Sequence, residues 1–194
     1  MKKRNVAILL FDDVEVLDFA GPFEVFAVTD ELNNHTIFNV FTVAETHHTI
    51  KARNGLSVNP DYALSDCPMP DVLIVPGGYG TRQVLEKGNI IEWIQLVSKE
   101  AELVLSVCTG SLVLAKAGIL EGLQATTHHQ VLDTLASLAP NTKIINDKRY
   151  VDNGSIVTAA GISAGIDMCF YIIERLLGSE YAEKTATYME YKRT

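Results

Sequence analysis

The chain reads as short apolar runs alternating with stretches of helical periodicity. Val6–Phe11 is uninterrupted apolar sequence, the pattern of a parallel strand buried on both faces. Gly21-Pro22 opens a helical stretch through Leu32, with Pro22 suited to its first turn. Phe38–Ala44 predicts a second strand, and Arg53-Asn54-Gly55, between two short extended stretches, predicts a hairpin turn. Val72–Val75 predicts another strand, stopped by Pro76-Gly77-Gly78-Tyr79-Gly80. Across Asn89–Lys99, Ile90, Ile91, Ile94 and Val97 recur at helical spacing, with Trp93 and Leu96 widening that face.

Leu103–Val107 predicts the next strand. Cys108-Thr109-Gly110-Ser111 turns from it directly into a helix through Ala117, closed by Gly118. Val131–Leu138 predicts a short amphipathic helix. Ile144-Ile145 and Tyr150–Thr158 predict strands, the latter folded back at Asp152-Asn153-Gly154. Ser163–Leu177 predicts a long apolar helix ending at Gly178. Strands alternating with helices imply an α/β fold, with a mostly parallel sheet covered by helices on both faces. Sites in such sheets form beyond the carboxyl ends of the strands, which puts Asp12–Asp18, Pro76–Gly80 and Cys108–Gly110 at the active edge.

The 194 residues are 47% apolar and 21% charged, a composition that predicts one globular domain over 1–194 and excludes general disorder. Sixteen basic residues against 24 acidic ones give a net charge of −8. That balance argues against a nucleic-acid partner, because phosphate backbones are held by Lys and Arg. The basic run Lys2-Lys3-Arg4 reads as a solvated start. Val6–Phe11 is too short for a signal or membrane segment, so a cytoplasmic protein with no membrane partner is expected. Three widely spaced cysteines, Cys67, Cys108 and Cys169, predict free thiols rather than a disulfide framework.

Cys108 sits where a strand turns into a helix, the layout of a nucleophile elbow. The turn pushes the side chain out at the sheet edge. The helix start supplies free N–H groups and a positive dipole end, which predict a thiol pKa below the ordinary ~8.5. A small, well-packed buried residue is the alternative reading. Cys67, before Pro68-Met69-Pro70, reads as incidental, and Cys169 as core. Asp18, in the apolar Val16-Leu17-Asp18-Phe19-Ala20-Gly21-Pro22, reads either as a helix cap or as a desolvated proton donor and acceptor. Asp12 and Asp13 read as solvated. His128 lies just past a predicted short strand, either as a structural group or as part of the chemistry.

Gly77-Gly78-Tyr79-Gly80 fails the dinucleotide spacing. It reads either as an oxyanion-type pocket of backbone N–H groups near Gly78, beside Cys108, or as a loop that needs glycine. The adjacent pairs His47-His48 and His128-His129 do not fit metal-ligand spacing, and no cofactor or metal is expected.

Five segments occur in order: Leu17-Asp18-Phe19-Ala20-Gly21-Pro22-Phe23-Glu24, Val75-Pro76-Gly77-Gly78, Ser106-Val107-Cys108-Thr109-Gly110-Ser111, Ala125-Thr126-Thr127-His128, and Ala160-Gly161-Ile162-Ser163-Ala164-Gly165-Ile166-Asp167. Together they resemble the DJ-1/PfpI (ThiJ) superfamily, specifically its isocyanide hydratase-like branch, from roughly Val6 to Leu177. The resemblance implies a flavodoxin-like three-layer α/β sandwich and a homodimer. It implies Cys108 as nucleophile, Asp18 as the acid that many members supply as Glu, and Thr109 as the residue that follows the nucleophile in the hydratase branch. Gly78 matches the backbone donor opposite the cysteine, and Ile162 a backbone position beside the thiol. The reaction implied is hydration of a small isocyanide to a formamide, in which a neutral substrate needs no Arg clamp.

Thr109 stands where the protease-like branch has His, so a Cys-His peptidase dyad is not supported. His128 matches a histidine of DJ-1 itself and keeps glyoxalase or deglycase chemistry on 2-oxoaldehydes open. Glutamine amidotransferases need a C-terminal H-x-E, and no His follows His129. The same motifs occur in sensor domains of AraC-type regulators, but Ser179–Thr194 is too short for a helix-turn-helix module. A free-standing redox or ligand sensor is the non-enzymatic alternative.

Overall fold

The computed structural model of the chain describes residues 3–193. The strands are β1 (Arg4–Leu10), β2 (Phe38–Ala44), β3 (Ile50–Lys51), β4 (Ser57–Val58), β5 (Tyr62–Ala63), β6 (Val72–Val75), β7 (Leu103–Val107), β8 (Gln124–Ala125), β9 (Lys143–Ile144), β10 (Tyr150–Asp152) and β11 (Ile156–Ala159). The α-helices are α1 (Val16–Glu31), α2 (Thr81–Val84), α3 (Gly88–Glu100), α4 (Gly110–Lys116), α5 (Leu132–Leu138), α6 (Ala164–Leu177) and α7 (Ser179–Tyr188). Seven strands form one sheet in the order β10-β11-β7-β6-β1-β2-β5, parallel throughout except for the β10–β11 hairpin.

Successive strand residues point to opposite faces. Every residue of β6 and β7 and the last five of β1 are nevertheless buried, so both faces are covered. The helices pack in two sets, α1 with α6 and α7, and α4 with α2, α3 and α5. This is the covered, mostly parallel sheet that the alternation implied, in the flavodoxin-like three-layer sandwich that the resemblance implied. From β1 the chain moves out to β2 and returns to β6 on the other side of β1. The reversal opens a crevice beyond the carboxyl ends of β1 and β6.

The Arg53–Gly55 turn does join an antiparallel pair, β3–β4, with Asn54 at φ 62°. It is laced to the loop after β1: Asp13 N–H donates to Lys51 O (2.7 Å), Lys51 N–H to Asp12 Oδ1 (2.8 Å) and Arg53 N–H to Val14 O (2.9 Å). Asp12 is therefore a structural acceptor as well as a solvated group. At the amino end, Arg4 pairs with Glu102 (2.7 Å) and Lys3 with Asp30 (3.6 Å). Lys2 and Thr194 lie outside the described residues.

Two expectations need correction. Helix α1 begins at Val16, not at Gly21, and Pro22 is inside it. Its buried face runs Asp18, Phe19, Pro22, Val25, Phe26 and Thr29, a helical repeat that passes straight through the proline. Pro22 has no N–H, so the carbonyl of Asp18 four residues back loses its helical donor. In α3, Ile90, Ile91, Ile94 and Val97 are buried and Trp93 packs partly against the core, but Leu96 is 54% exposed. Leu96 falls outside the arc that faces the sheet.

Leu105, in the middle of β7, has no exposed surface. Leu105→Ala is expected to lower unfolding stability by about 2–5 kcal/mol in urea titrations. Leu96→Ala should change it by less than ~0.5 kcal/mol. Equal effects would contradict this assignment of core and surface.

Candidate active site

Three chain segments meet at the crevice. The Asp12–Glu15 loop after β1 pairs with the Gly77–Gly80 turn after β6: Glu15 N–H donates to Gly77 O (2.9 Å) and Gly80 N–H to Asp13 O (3.2 Å). The third segment is the β7–α4 turn at Cys108. Gly78 has φ +131°, and a Cβ there would collide with the backbone of Asp13 and Glu15. A Cβ on Gly77 would meet Thr109 N at 2.5 Å and Asp18 Oδ2 at 2.9 Å. Glycine at these positions lets two loops and a carboxylate converge.

Cys108 adopts φ 56°, a conformation that non-glycine residues rarely take. Its N–H donates to Ala159 O (3.1 Å) and Ala160 O (3.0 Å), while its carbonyl accepts from Thr127 Oγ1 (2.9 Å) and Ser111 Oγ (3.3 Å). These bonds on both sides of the residue hold the strained turn. Ile162, at the end of the loop after β11, also has positive φ, 47°, unusual for a β-branched side chain. Its N–H and that of Thr109 reach the Cys108 sulfur.

Asp18 is fully buried in the first turn of α1. It is not the cap: Glu15 occupies that position, without a side-chain capping bond. Asp18 Oδ2 accepts the Gly77 N–H (3.1 Å), whereas Oδ1 has no partner. Burial pushes its carboxyl up to about 7, the Gly77 N–H and the Cys108 thiol opposing and the charge of Glu15 adding to the rise. Burial and the Asp18 charge likewise push the Cys108 thiol up to about 12, against the Thr109 and Ile162 N–H groups. The expected low thiol pKa is thus reversed, because the helix-start N–H groups are outweighed by desolvation and by a neighbouring acid. The two groups titrate as a pair: one proton leaves near neutrality and the second is retained.

The expected donors of the glycine turn are also engaged elsewhere. Gly77 N–H is on Asp18, and Gly78 N–H donates to Thr109 Oγ1 (2.9 Å). Thr109 Oγ1 in turn donates to Gly78 O (3.1 Å), and Thr81 Oγ1 donates to Gly78 O (2.8 Å). Thr109 therefore ties the elbow to the glycine turn, and the N–H groups that face the sulfur are those of Thr109 and Ile162. His128 lies on the cleft wall, where a Cβ on Gly161 would contact its ring at 2.5 Å. Its Nδ1 accepts the Gln130 N–H (3.3 Å), and burial and His129 lower its pKa, so it is a neutral wall group.

The sulfur opens onto a cleft of about 170 Å³ whose lining also includes Glu15, Arg53, Tyr79 and Arg82. These four residues and Thr127 were not singled out from the sequence. Arg53 and Arg82 are far apart along the chain and belong to no motif. Cys169 is buried in α6, and Cys67 is half-buried away from the cleft. Among the described residues, no cluster of His, Cys, Asp or Glu is arranged to hold a metal ion. No helix among them is long and apolar enough to cross a membrane.

Residues 4–175 match the DJ-1/PfpI family. The isonitrile hydratase of Pseudomonas putida is 33% identical over 190 residues, covering 96% of this chain and 78% of that protein. The HTH-type transcriptional regulator GbdR of Pseudomonas aeruginosa is 24% identical over 98% of this chain, which spans only 51% of the regulator. The crystal structure of a ThiJ/PfpI family protein from Pseudomonas syringae superposes with a TM-score of 0.90 at 28% identity, covering 100% of this chain and 77% of that one.

The Asp18 carboxyl gives a stability prediction. It releases its proton near the ordinary ~3.9 when unfolded but near 7 when folded. Between those values the folded state binds the extra proton, so stability falls as pH rises through the window. Asp18→Asn removes that loss. It should raise unfolding stability at about pH 8 by on the order of 2–4 kcal/mol and change it little at about pH 4. A variant no more stable than the parent at about pH 8 would show that Asp18 is not held as a strained acid.

Proposed function

The chain belongs to the DJ-1/PfpI family, and we propose that it is a cysteine-dependent hydratase that adds water to a small isocyanide and releases an N-substituted formamide. The observation that carries this reading is the isolated pair at the base of the cleft, an elbow thiol beside a buried carboxyl with one unpaired oxygen. The identity to an isonitrile hydratase over nearly the whole chain supports it. Hydrating an isocyanide needs a soft nucleophile and one group to move protons. It needs neither a third ionisable partner nor a cofactor.

The steps follow from the pair. Cys108 Sγ bonds to the terminal carbon of R–N≡C, and its proton passes through Asp18 to that carbon, giving R–N=CH–S. Water adds to the same carbon while Asp18 relays one of its protons to nitrogen. The C–S bond then breaks, the hydroxyl proton returns to sulfur through Asp18, and R–NH–CHO leaves. The Thr109 and Ile162 N–H groups stabilise charge on sulfur at the first and last steps.

Formamide production from a simple neutral isocyanide tests the proposal. Cys108→Ala should abolish it with the fold retained. Asp18→Asn should slow it by about 10²–10⁴ while iodoacetamide still labels Cys108. Wild-type protein that forms no formamide would defeat the hydratase reading, and an unimpaired Asp18→Asn would remove Asp18 from it.

The same pair fixes the pH dependence. Asp18 must be ionised to take the thiol proton, and it loses its own near 7. The kcat/KM for a neutral isocyanide should therefore rise through a midpoint near 7. A midpoint at the ordinary thiol value of ~8.5 would mean that Cys108 ionises without Asp18.

A second reading is glyoxalase-type conversion of a 2-oxoaldehyde, favoured by His128 on the cleft wall. Methylglyoxal consumed faster than any isocyanide would select it.

A further inference from the structure

The cleft mouth carries charge that the hydration of a neutral isocyanide does not use. Arg53 and Arg82 both face the ring of Tyr79, with their Cζ atoms 5.7 and 4.6 Å from its centroid. Their guanidinium carbons are thus no more than about 10 Å apart, since each lies that close to one ring centre. Neither arginine pairs with a carboxylate among the described residues. Tyr79 is 59% exposed, so the ring is a platform at the rim rather than part of the core.

Both arginines are held at this place by the fold. The Arg53 backbone N–H is bonded to Val14 O (2.9 Å) on the loop beside Glu15, and Arg82 Nη1 donates to Tyr79 O (3.4 Å). Among the described residues Glu15 is the one carboxylate on the cleft lining, so the rim has a net positive charge in a protein of net −8. Two guanidinium groups gathered on one exposed ring, with a single carboxylate on the same lining, leave N–H donors open to an anion. Guanidinium groups bind carboxylates through paired N–H donors. An anionic substrate also needs them, because the Cys108–Asp18 pair below carries negative charge above neutral pH.

We propose that Arg53 and Arg82 are specificity-determining residues that select small substrates bearing a carboxylate at the end remote from the reacting carbon. For the reacting group this rests on the hydratase reading, so the preferred substrate is an isocyanide with a carboxylate tail. The earlier expectation of a neutral substrate without an Arg clamp came from the reacting group alone. The clamp lies on the rim, where it acts on the tail.

The test needs no turnover. Iodoacetate and iodoacetamide deliver the same carbon to a thiol and differ in one negative charge. Their alkylation rates are read at the Cys108-bearing peptide by mass spectrometry. The ratio of iodoacetate to iodoacetamide rate is expected to fall about tenfold in the double variant Arg53→Gln/Arg82→Gln. In the wild-type protein it should also fall as salt rises from about 0.05 to about 0.5 M, a measurement that stands even if the double variant does not fold. A ratio that neither the substitutions nor salt changes overturns the proposal. In parallel, isocyanoacetate should have a KM about tenfold below that of its methyl ester, and the double variant should erase the difference. Loss of the alkylation preference with turnover of neither isocyanide would defeat the hydratase reading and leave anion selection standing.

Discussion

Asp18 is fully buried, with one carboxyl oxygen on the Gly77 N–H and the other facing no donor. Taking an ionised carboxylate out of water costs several kcal/mol when partners are incomplete. The group therefore holds its proton to about 7 instead of releasing it in acid. A proton kept that loosely near neutrality is available to a neighbour, and the neighbour here is the Cys108 thiol. The cost of the buried acid is thus tied to the chemistry proposed for the site.

The surrounding structure keeps these two groups from relaxing apart. Gly77 admits the carboxylate and the elbow, and Gly78 the loop after β1, at distances that no side chain would allow. Thr109 bonds both ways with Gly78, and Thr127 and the Ala159 and Ala160 carbonyls clamp Cys108 at its positive φ. Both loops hang from strands whose residues are buried on each face. Strain at the turn persists because a well-packed sheet over-determines it.

The sheet was legible because its strands are apolar on both faces, and the elbow was legible because Leu103–Val107 runs into Cys108-Thr109-Gly110 without a gap. The start of α1 was not. Pro22 looks like an opening residue, whereas the helix continues back to Val16 because burial of Phe19 on the face it shares with Val25 and Phe26 outweighs one missing hydrogen bond. The direction of the thiol pKa was also missed. A helix start is visible in sequence, but the depth of burial that outweighs it is a tertiary property. The Arg53–Tyr79–Arg82 cluster was invisible for the same reason: its members come from a hairpin, a glycine turn and a short helix that only the folded sheet brings together.

The central claim is that Asp18 remains a neutral acid until near neutrality. Carbon-13 NMR of the aspartate carboxyl carbons, with Asp18→Asn used to assign the signal, reads this directly. The account predicts a carboxyl resonance that stays in its protonated position at about pH 5.5 and shifts with a midpoint near 7. A resonance that has completed its shift by about pH 5, as an ordinary aspartate does, would contradict it.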